Sequence, residues 1–417
     1  MKILMVNKYF FIKGGAERYF FELKDLLESH GHEVIPFAMK HAQNAESPYA
    51  DYFVDTIDFN PTRFWDRMKT GAQAVGRVVY SNHAKKQMER LVRQARPDIA
   101  HLHMIDHQLS PSILPVLKKA GIPTVQTVHT YKAVCPNYRF FVMHKRQICE
   151  KCLRGGYFHA VLERCHKQSV FASGLLSVEA VVQQTLRLYR NCIGLFIVPS
   201  LFMGKKMVEG GYPSTQIRYL PHAVRMEDYP IRYDSDGYFA FYGRLSEEKG
   251  IATLIRSMQG IGQSKLKIIG EGPERNSLEK LVHDLGLKNV EFTGPLNGST
   301  LRREVSGAMF IVVPSEWYEN APMVVYEAFV MGKPVIGSRI GGIPELIEHG
   351  KDGLLFEPGD SEGLKQAIRM LLNNPNQTSR MGKAARRKAE RTITPAVHYK
   401  RLMDIYEQAK NRRERRA

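Results

Sequence analysis

Short apolar runs alternate with helix-forming stretches along almost all of this 417-residue chain, and no other feature leaves it so few architectures. KILMV (2–6) leads into a glycine pair and a helical pattern reaching about Ser29, then HEVIPFA (32–38). After a less regular basic stretch come DIAHLH (98–103), a helix begun by Pro111, TVQTV (124–128), and GLFIVPS (194–200) with its own helix. Strands that alternate with helices build a parallel, doubly wound sheet. Between Val224 and Gly237 the chain turns polar and turn-rich (RMEDYPIRYDSDG), and then the alternation restarts. FAFYG (239–243), KLKIIG (265–270), VEFTG (290–294), FIVVPS (310–315) and PVIGS (334–338) are each followed by helical sequence. The expectation is two Rossmann-like α/β domains, 1–224 and 237–394, with a terminal helix and basic tail at 395–417. One core rarely serves a chain this long. The cleft between the domains is then the default binding site.

Charge narrows the partners without choosing one. The formal net charge is +18, and both halves are basic, which attracts phosphate-bearing substrates, nucleic acid or an anionic membrane face. Residues 63–96 hold nine Lys or Arg against two acids, with Phe64, Trp65, Val78, Val79 and Tyr80 interspersed. That pattern suits a basic amphipathic helix on a membrane or a solvated helical face. The opening MKILMVNKYFF has too short an apolar core for a signal peptide. No run approaches the roughly eighteen apolar residues that span a bilayer. The expected location is cytoplasmic, peripheral at the cytoplasmic face of the membrane. Five cysteines in a large chain argue against a disulfide framework.

Chemistry is expected in PSEWYENAPMVVYEAFVMGKPVIGSRIGGIP (314–344), where Glu319 lies in the loop after FIVV and Glu327 inside the next helix. Loops at the carboxyl ends of parallel strands bind ligands, because free N–H groups and a helix dipole point there. On a single helix, eight residues would set the two carboxylates roughly 12 Å apart, beyond the roughly 5–9.5 Å of a glycoside hydrolase pair. They read as two holds on one long ligand. Three glycine turns face this stretch. Lys13-Gly14-Gly15-Ala16-Glu17-Arg18 opens the first helix, and it is not the G-x-G-x-x-G dinucleotide fingerprint. Gly243-Arg244-Leu245-Ser246-Glu247-Glu248-Lys249-Gly250 stands in the same place in the second domain, where Arg244 and Lys249 can converge on a pyrophosphate. IIGEGPER (268–275) repeats the pattern at Gly270. Together they make a nucleotide cradle the better reading than surface cations.

With GGAER, GRLSEEKG, GEGPER and E-x7-E in this order, the chain resembles the retaining group 1 (family 4) glycosyltransferases over nearly its whole length. The resemblance implies the GT-B fold, with the terminal helix packing back toward the first domain. It implies that Arg244 and Lys249 hold the donor diphosphate without a catalytic metal, that Glu327 binds ribose hydroxyls, and that Glu319 with the N–H groups of Asn320 and Ala321 contacts the donor sugar. Gly14 and Gly15, Gly243 and Gly270 would approach the donor, and His129 in VHTYK matches the family's histidine near the reacting sugar. Glu17, Arg18 and His103 are acceptor-side candidates. The partners so implied are a nucleotide sugar and a glycan or polyprenyl-phosphate-linked acceptor, with retention at the anomeric carbon and no nucleic acid.

Two further features need a reading. Asp234-Ser235-Asp236 matches the D-x-D metal signature of another glycosyltransferase fold, yet it sits in the linker and is rejected as a site. Cys135, Cys149, Cys152 and Cys165 are spaced C-x13-C-x2-C-x12-C within an insertion at about 131–170. Structural zinc, packing cysteines and a redox pair all remain open for them. The alternatives at the level of function are a nucleotide-sugar epimerase or a phosphorylase on the same architecture, and a basic zinc-containing nucleic-acid binder. The last leaves E-x7-E without a purpose.

Overall fold

The computed structural model describes residues 1–56 and 79–414. Two six-stranded parallel sheets carry the fold. The first consists of β1 (Lys2–Val6), β2 (Glu33–Phe37), β3 (Ile99–Leu102), β4 (Thr124–Thr127), β7 (Leu195–Val198) and β8 (Ile217–Tyr219), ordered β2-β1-β3-β4-β7-β8; β5 (Phe141–Val142) and β6 (Gln147–Ile148) form a separate hairpin. The second consists of β9 (Tyr238–Tyr242), β10 (Lys265–Ile269), β11 (Val290–Gly294), β12 (Ile311–Val313), β13 (Val335–Ser338) and β14 (Gly353–Phe356), ordered β11-β10-β9-β12-β13-β14. Most central strands are apolar along their length because helices cover both faces, and YFAFY of β9 is buried throughout. Strand order reverses between β1 and β3 in one sheet and between β9 and β12 in the other. Those switch points open a crevice at the strands' carboxyl ends, and the loops after β1, β3, β9 and β12 carry the glycine turns, His103 and Glu319.

The edge strands β8 and β14 are absent from the sequence reading. β8 has only three residues with Arg218 at its centre, and β14 follows the turn-rich HGKDG, so neither carries an apolar run long enough to announce a strand. Of the basic stretch 63–96, residues 63–78 lie outside the described residues. Its remainder forms the helix Asn82–Ala95, which buries Ala84, Met88, Leu91 and Ala95 in the first domain's core.

The terminal helix, Pro395–Glu414, follows the second domain but packs on the first, as the family resemblance implies. Leu402, Ile405, Tyr406 and Ala409 join Ile3, Met5, Phe20, Leu23 and Leu195 in one cluster. Burying each large side chain there contributes about 1.5–3 kcal/mol.

Candidate active site at the domain interface

Each motif glutamate is held by a cation, and the two cations come from different domains. Glu319, in the loop after β12, accepts from Lys249 Nζ at 2.6 Å and from Ser315 Oγ at 2.8 Å. Burial alone would raise its carboxyl, but the Lys249 ammonium and these hydrogen bonds outweigh burial and hold it below the ordinary range. Glu327, in the helix Met323–Val330, accepts from Arg18 Nη1 of the first domain at 2.7 Å and from Tyr242 OH at 3.0 Å. Here burial wins and the carboxyl is raised. Arg18 also holds Glu22 at 3.0 Å and donates to the Tyr229 hydroxyl.

Three more contacts tie the donor-side loop to the first domain, and none is apparent from sequence. Asn320 Nδ2 donates to the carbonyl of Val128 at 3.1 Å, and Asn320 Oδ1 accepts from Ser200 Oγ at 2.8 Å. Ser200 caps the helix Leu201–Glu209, and Glu345 of the second domain accepts from that helix's first free N–H groups, Leu201 at 2.7 Å and Phe202 at 2.6 Å. A carboxylate at a helix N-terminus is favoured by unsatisfied amides and the helix dipole. Local sequence could have suggested Ser200 as a cap, but not a cap supplied 145 positions later.

The glycines are explained mostly by backbone approach. A Cβ on Gly270 would lie 1.9 Å from the carbonyl oxygen of Gly243, so the turns after β9 and β10 meet only because residue 270 lacks a side chain. A Cβ on Gly342 would lie 1.9 Å from Asn320 O, which makes Gly341-Gly342 the floor under Glu319 and Asn320. Gly14 is extended, and a Cβ on Gly15 would meet nothing within 4 Å, so neither is required by a tight turn. They leave open space instead.

Other expected site residues fall in different places. Glu17 accepts from the Gly14 backbone N–H and stays buried, half of a capping box on its own helix. Arg244 is exposed and takes no polar partner among the described residues, and Ala321 is buried in the apolar core of the second domain. Asp234 and Asp236 are both held by Arg232, at 3.0 and 2.6 Å.

His129 and His103 meet directly, Nε2 to Nδ1, at 3.0 Å. They belong to a column in which His101, His103, His129 and His222 stack with ring centroids 4.4, 5.3 and 5.9 Å apart. Tyr19 lies against His222 and donates toward, or accepts from, His398 Nε2 of the terminal helix at 3.0 Å. Burial drives all five imidazoles toward the neutral form, His129 and His398 to about 4 and His101 to about 3. His103 Nε2 and His222 Nδ1 are buried without a partner.

The four expected metal cysteines all line one small cavity of about 10 Å³, together with Phe140 and Ala160. All are reduced. Among the described residues no group of three or more His, Cys, Asp or Glu stands ready to hold a metal ion, so the thiols share a cavity without converging on a point.

Comparisons with known proteins place the family and the fold. Residues 13–228 match the model of Glycosyltransferase Family 4, and residues 230–388 that of Glycosyl transferases group 1. The chain is 32% identical to sulfoquinovosyl transferase of Arabidopsis thaliana over 49% of its own length and 43% of that relative's. It is 24% identical to glycogen synthase of Mycobacterium tuberculosis over 93% of its own length and 90% of that relative's. The chain spans less than half the length of the first relatives it matches, but most of the length of the glycogen synthase. Among solved structures, sucrose-phosphate synthase of Thermosynechococcus elongatus superposes with a TM-score of 0.70 at 20% identity over 98% of each chain. Anabaena HepE in complex with UDP-glucose superposes with a TM-score of 0.64 at 17% identity, over 98% of this chain and 99% of that one. At these identities the structural matches speak for the fold alone.

Proposed function

This chain belongs to glycosyltransferase family 4 and has the GT-B fold, and from that premise we propose that it moves a sugar from a nucleoside-diphosphate sugar to a glycan or lipid-linked acceptor, with retention at the anomeric carbon. The observation that carries the proposal is the pair of buried glutamates at the switch point of the second sheet, one held by Lys249 and the other by Arg18 across the cleft. A nucleotide sugar is long enough to need both, with Glu327 on the ribose and Glu319 on the sugar. UDP-glucose in the HepE complex makes a nucleotide sugar the natural ligand class to test.

In this reading the departing diphosphate gathers negative charge, and Arg244 and Lys249 stabilise it in place without reorganising. No divalent cation is required for that step. Neutral His129 lies at the end of β4 beside the reacting sugar, where it accepts or donates one hydrogen bond; no side chain in the motifs is placed as a covalent nucleophile. Attack on the leaving group's own face, with the phosphate taking the acceptor proton, follows. The acceptor-side work falls to His103, which holds His129, and to Glu17 and Arg18 of the first helix, while Gly14 and Gly15 leave room for the donor. The cytoplasmic face of a membrane, in polysaccharide synthesis, is the proposed setting.

The test is release of nucleoside diphosphate. A thermal-shift screen of UDP-, GDP- and ADP-sugars identifies the donor, since a ligand that binds only the folded form raises Tm. Release that waits for an added acceptor supports transfer. Sugar isomerisation without release would instead identify an epimerase, and inorganic phosphate as co-substrate a phosphorylase.

For the cysteine insertion we propose structural zinc. Burial pushes the Cys135 thiol up, while backbone N–H groups of Phe140, Arg139 and Asn137 directed at its sulfur act the other way. What supports zinc is that all four cysteines line one cavity.

A further inference from the structure

The helix Val170–Thr185 buries more polar than apolar side chains. The face it turns inward carries Ser173, Ser177, Glu179 and Gln183 beside Leu176 and Ala180, all buried, while Val170, Phe171, Val178 and Val181 face solvent. Phe171 is 78% exposed. The buried polar groups are satisfied: Glu179 accepts from Lys132 at 2.6 Å and from Gln183 at 3.0 Å, and Ser177 donates to the carbonyl of Tyr157 at 2.9 Å. The orientation is therefore fixed by hydrogen bonds and cannot be relieved by rolling the helix. The short helix His159–Leu162 packs beside it and adds Phe158 and Leu162, the latter 68% exposed. Half of the large apolar side chains exposed among the described residues lie between 158 and 186. Concentration on this scale marks an interaction surface.

The charge around the patch selects its partner. Lys151, Arg154, Arg164, Lys167 and Arg187 are exposed around the patch. Lys151 is paired with Glu163 and Arg154 lies 3.8 Å from Glu150, but Arg164, Lys167 and Arg187 form no ion pair among the described residues, and Glu179 is buried on Lys132. A second copy of this face would set cations against cations. An apolar face ringed by cations matches the boundary of an anionic bilayer, where acyl chains receive the aromatic and aliphatic groups and headgroup phosphates receive the cations.

We propose that residues 158–186 dock this protein on an anionic lipid surface. The insertion that leads into this element reaches the donor side: Glu150, between the cysteines, accepts from Tyr318 OH at 2.8 Å beside Glu319, and Arg146 pairs with Glu247 in the loop after β9. On the proposed transfer reading, a membrane-borne acceptor is brought toward the cleft by an element continuous with the insertion that holds the cleft's wall.

Co-sedimentation of the full chain with vesicles tests docking without reference to any transfer activity. Binding to phosphatidylglycerol-containing vesicles, weakened by salt and absent on pure phosphatidylcholine, is the expected result. Phe171→Asp with Val178→Asp should weaken it at least about tenfold, and each of Arg164→Ala and Lys167→Ala by about fivefold. These side chains are solvent-facing, so circular dichroism and Tm should stay at wild-type values. Equal binding to both vesicle types by the wild-type protein overturns the proposal. So does undiminished binding by the double Asp variant, or a stable dimer in sedimentation that the double Asp variant abolishes.

Discussion

Glu319 and Glu327 are the same residue type in one motif, yet their surroundings set them apart. Glu319 is kept ionised by Lys249, whereas Glu327 is raised by burial and shares Arg18 with Glu22 and Tyr229. If Glu327 holds ribose hydroxyls, Glu327→Ala should weaken donor binding by the about 1.5–3 kcal/mol of a charged hydrogen bond, read as dissociation constant by calorimetry. Glu319→Ala should mainly lower kcat, since it also frees the Lys249 ammonium from its place. Equal effects of both variants on both parameters would remove the distinction. Arg244 has no partner to lose among the described residues, so Arg244→Ala should leave Tm unchanged while turnover falls something like 10²–10³-fold. Unchanged steady-state turnover in that variant would show that Arg244 does not meet the leaving group.

At the scale of elements, the glycine pair after β13 is a sensitive point. Gly342 has an ordinary right-handed backbone, φ −84°, so Gly342→Ala introduces no backbone strain, only contacts at 1.9 Å with Asn320 O and 2.9 Å with Ser200 Cβ. Relief of that clash should cost about 1–3 kcal/mol in urea unfolding and displace Asn320 from the Val128 carbonyl, with a fall in kcat. A variant of wild-type activity would mean that the loop's position is not critical. The cysteine insertion has its own measurement: elemental analysis of purified protein should find one zinc per chain, reduced in Cys149→Ser, and its absence ends that proposal. The central strands and the loop motifs were legible in sequence because each is local, a run of apolar residues or a glycine turn at a strand end. What could not be read were β8 and β14, which exist through pairing with β7 and β13, and contacts such as Arg18 with Glu327, 309 positions apart. The capping role of Glu17 was not legible either, because it depends on which way a side chain turns at a helix start.

Across the whole molecule, the column of neutral histidines joins the first domain to the terminal helix and makes stability depend on pH. An unfolded histidine takes its proton near 6.5, whereas folded His398 and His129 do so only near 4. Between those values the unfolded chain binds more protons, so stability rises with pH and is lost as pH falls below about 6.5. Carboxyls raised by burial, such as Glu327 and Glu179, act in the opposite direction above 4.5. The histidine share is therefore read by difference: His398→Asn should give a shallower fall of Tm on acidification than wild type, and an identical slope would exclude it. The return of helix Pro395–Glu414 to the first domain also has a consequence for synthesis. The second sheet, complete at Phe356, leaves the ribosome with all its strands well before Leu402, Ile405 and Tyr406 appear. Ile3, Met5 and Phe20, made long before them, wait for them. The first domain thus closes after the second, and its nascent surface, for as long as translation takes to cover the intervening sequence, is a natural client for a chaperone.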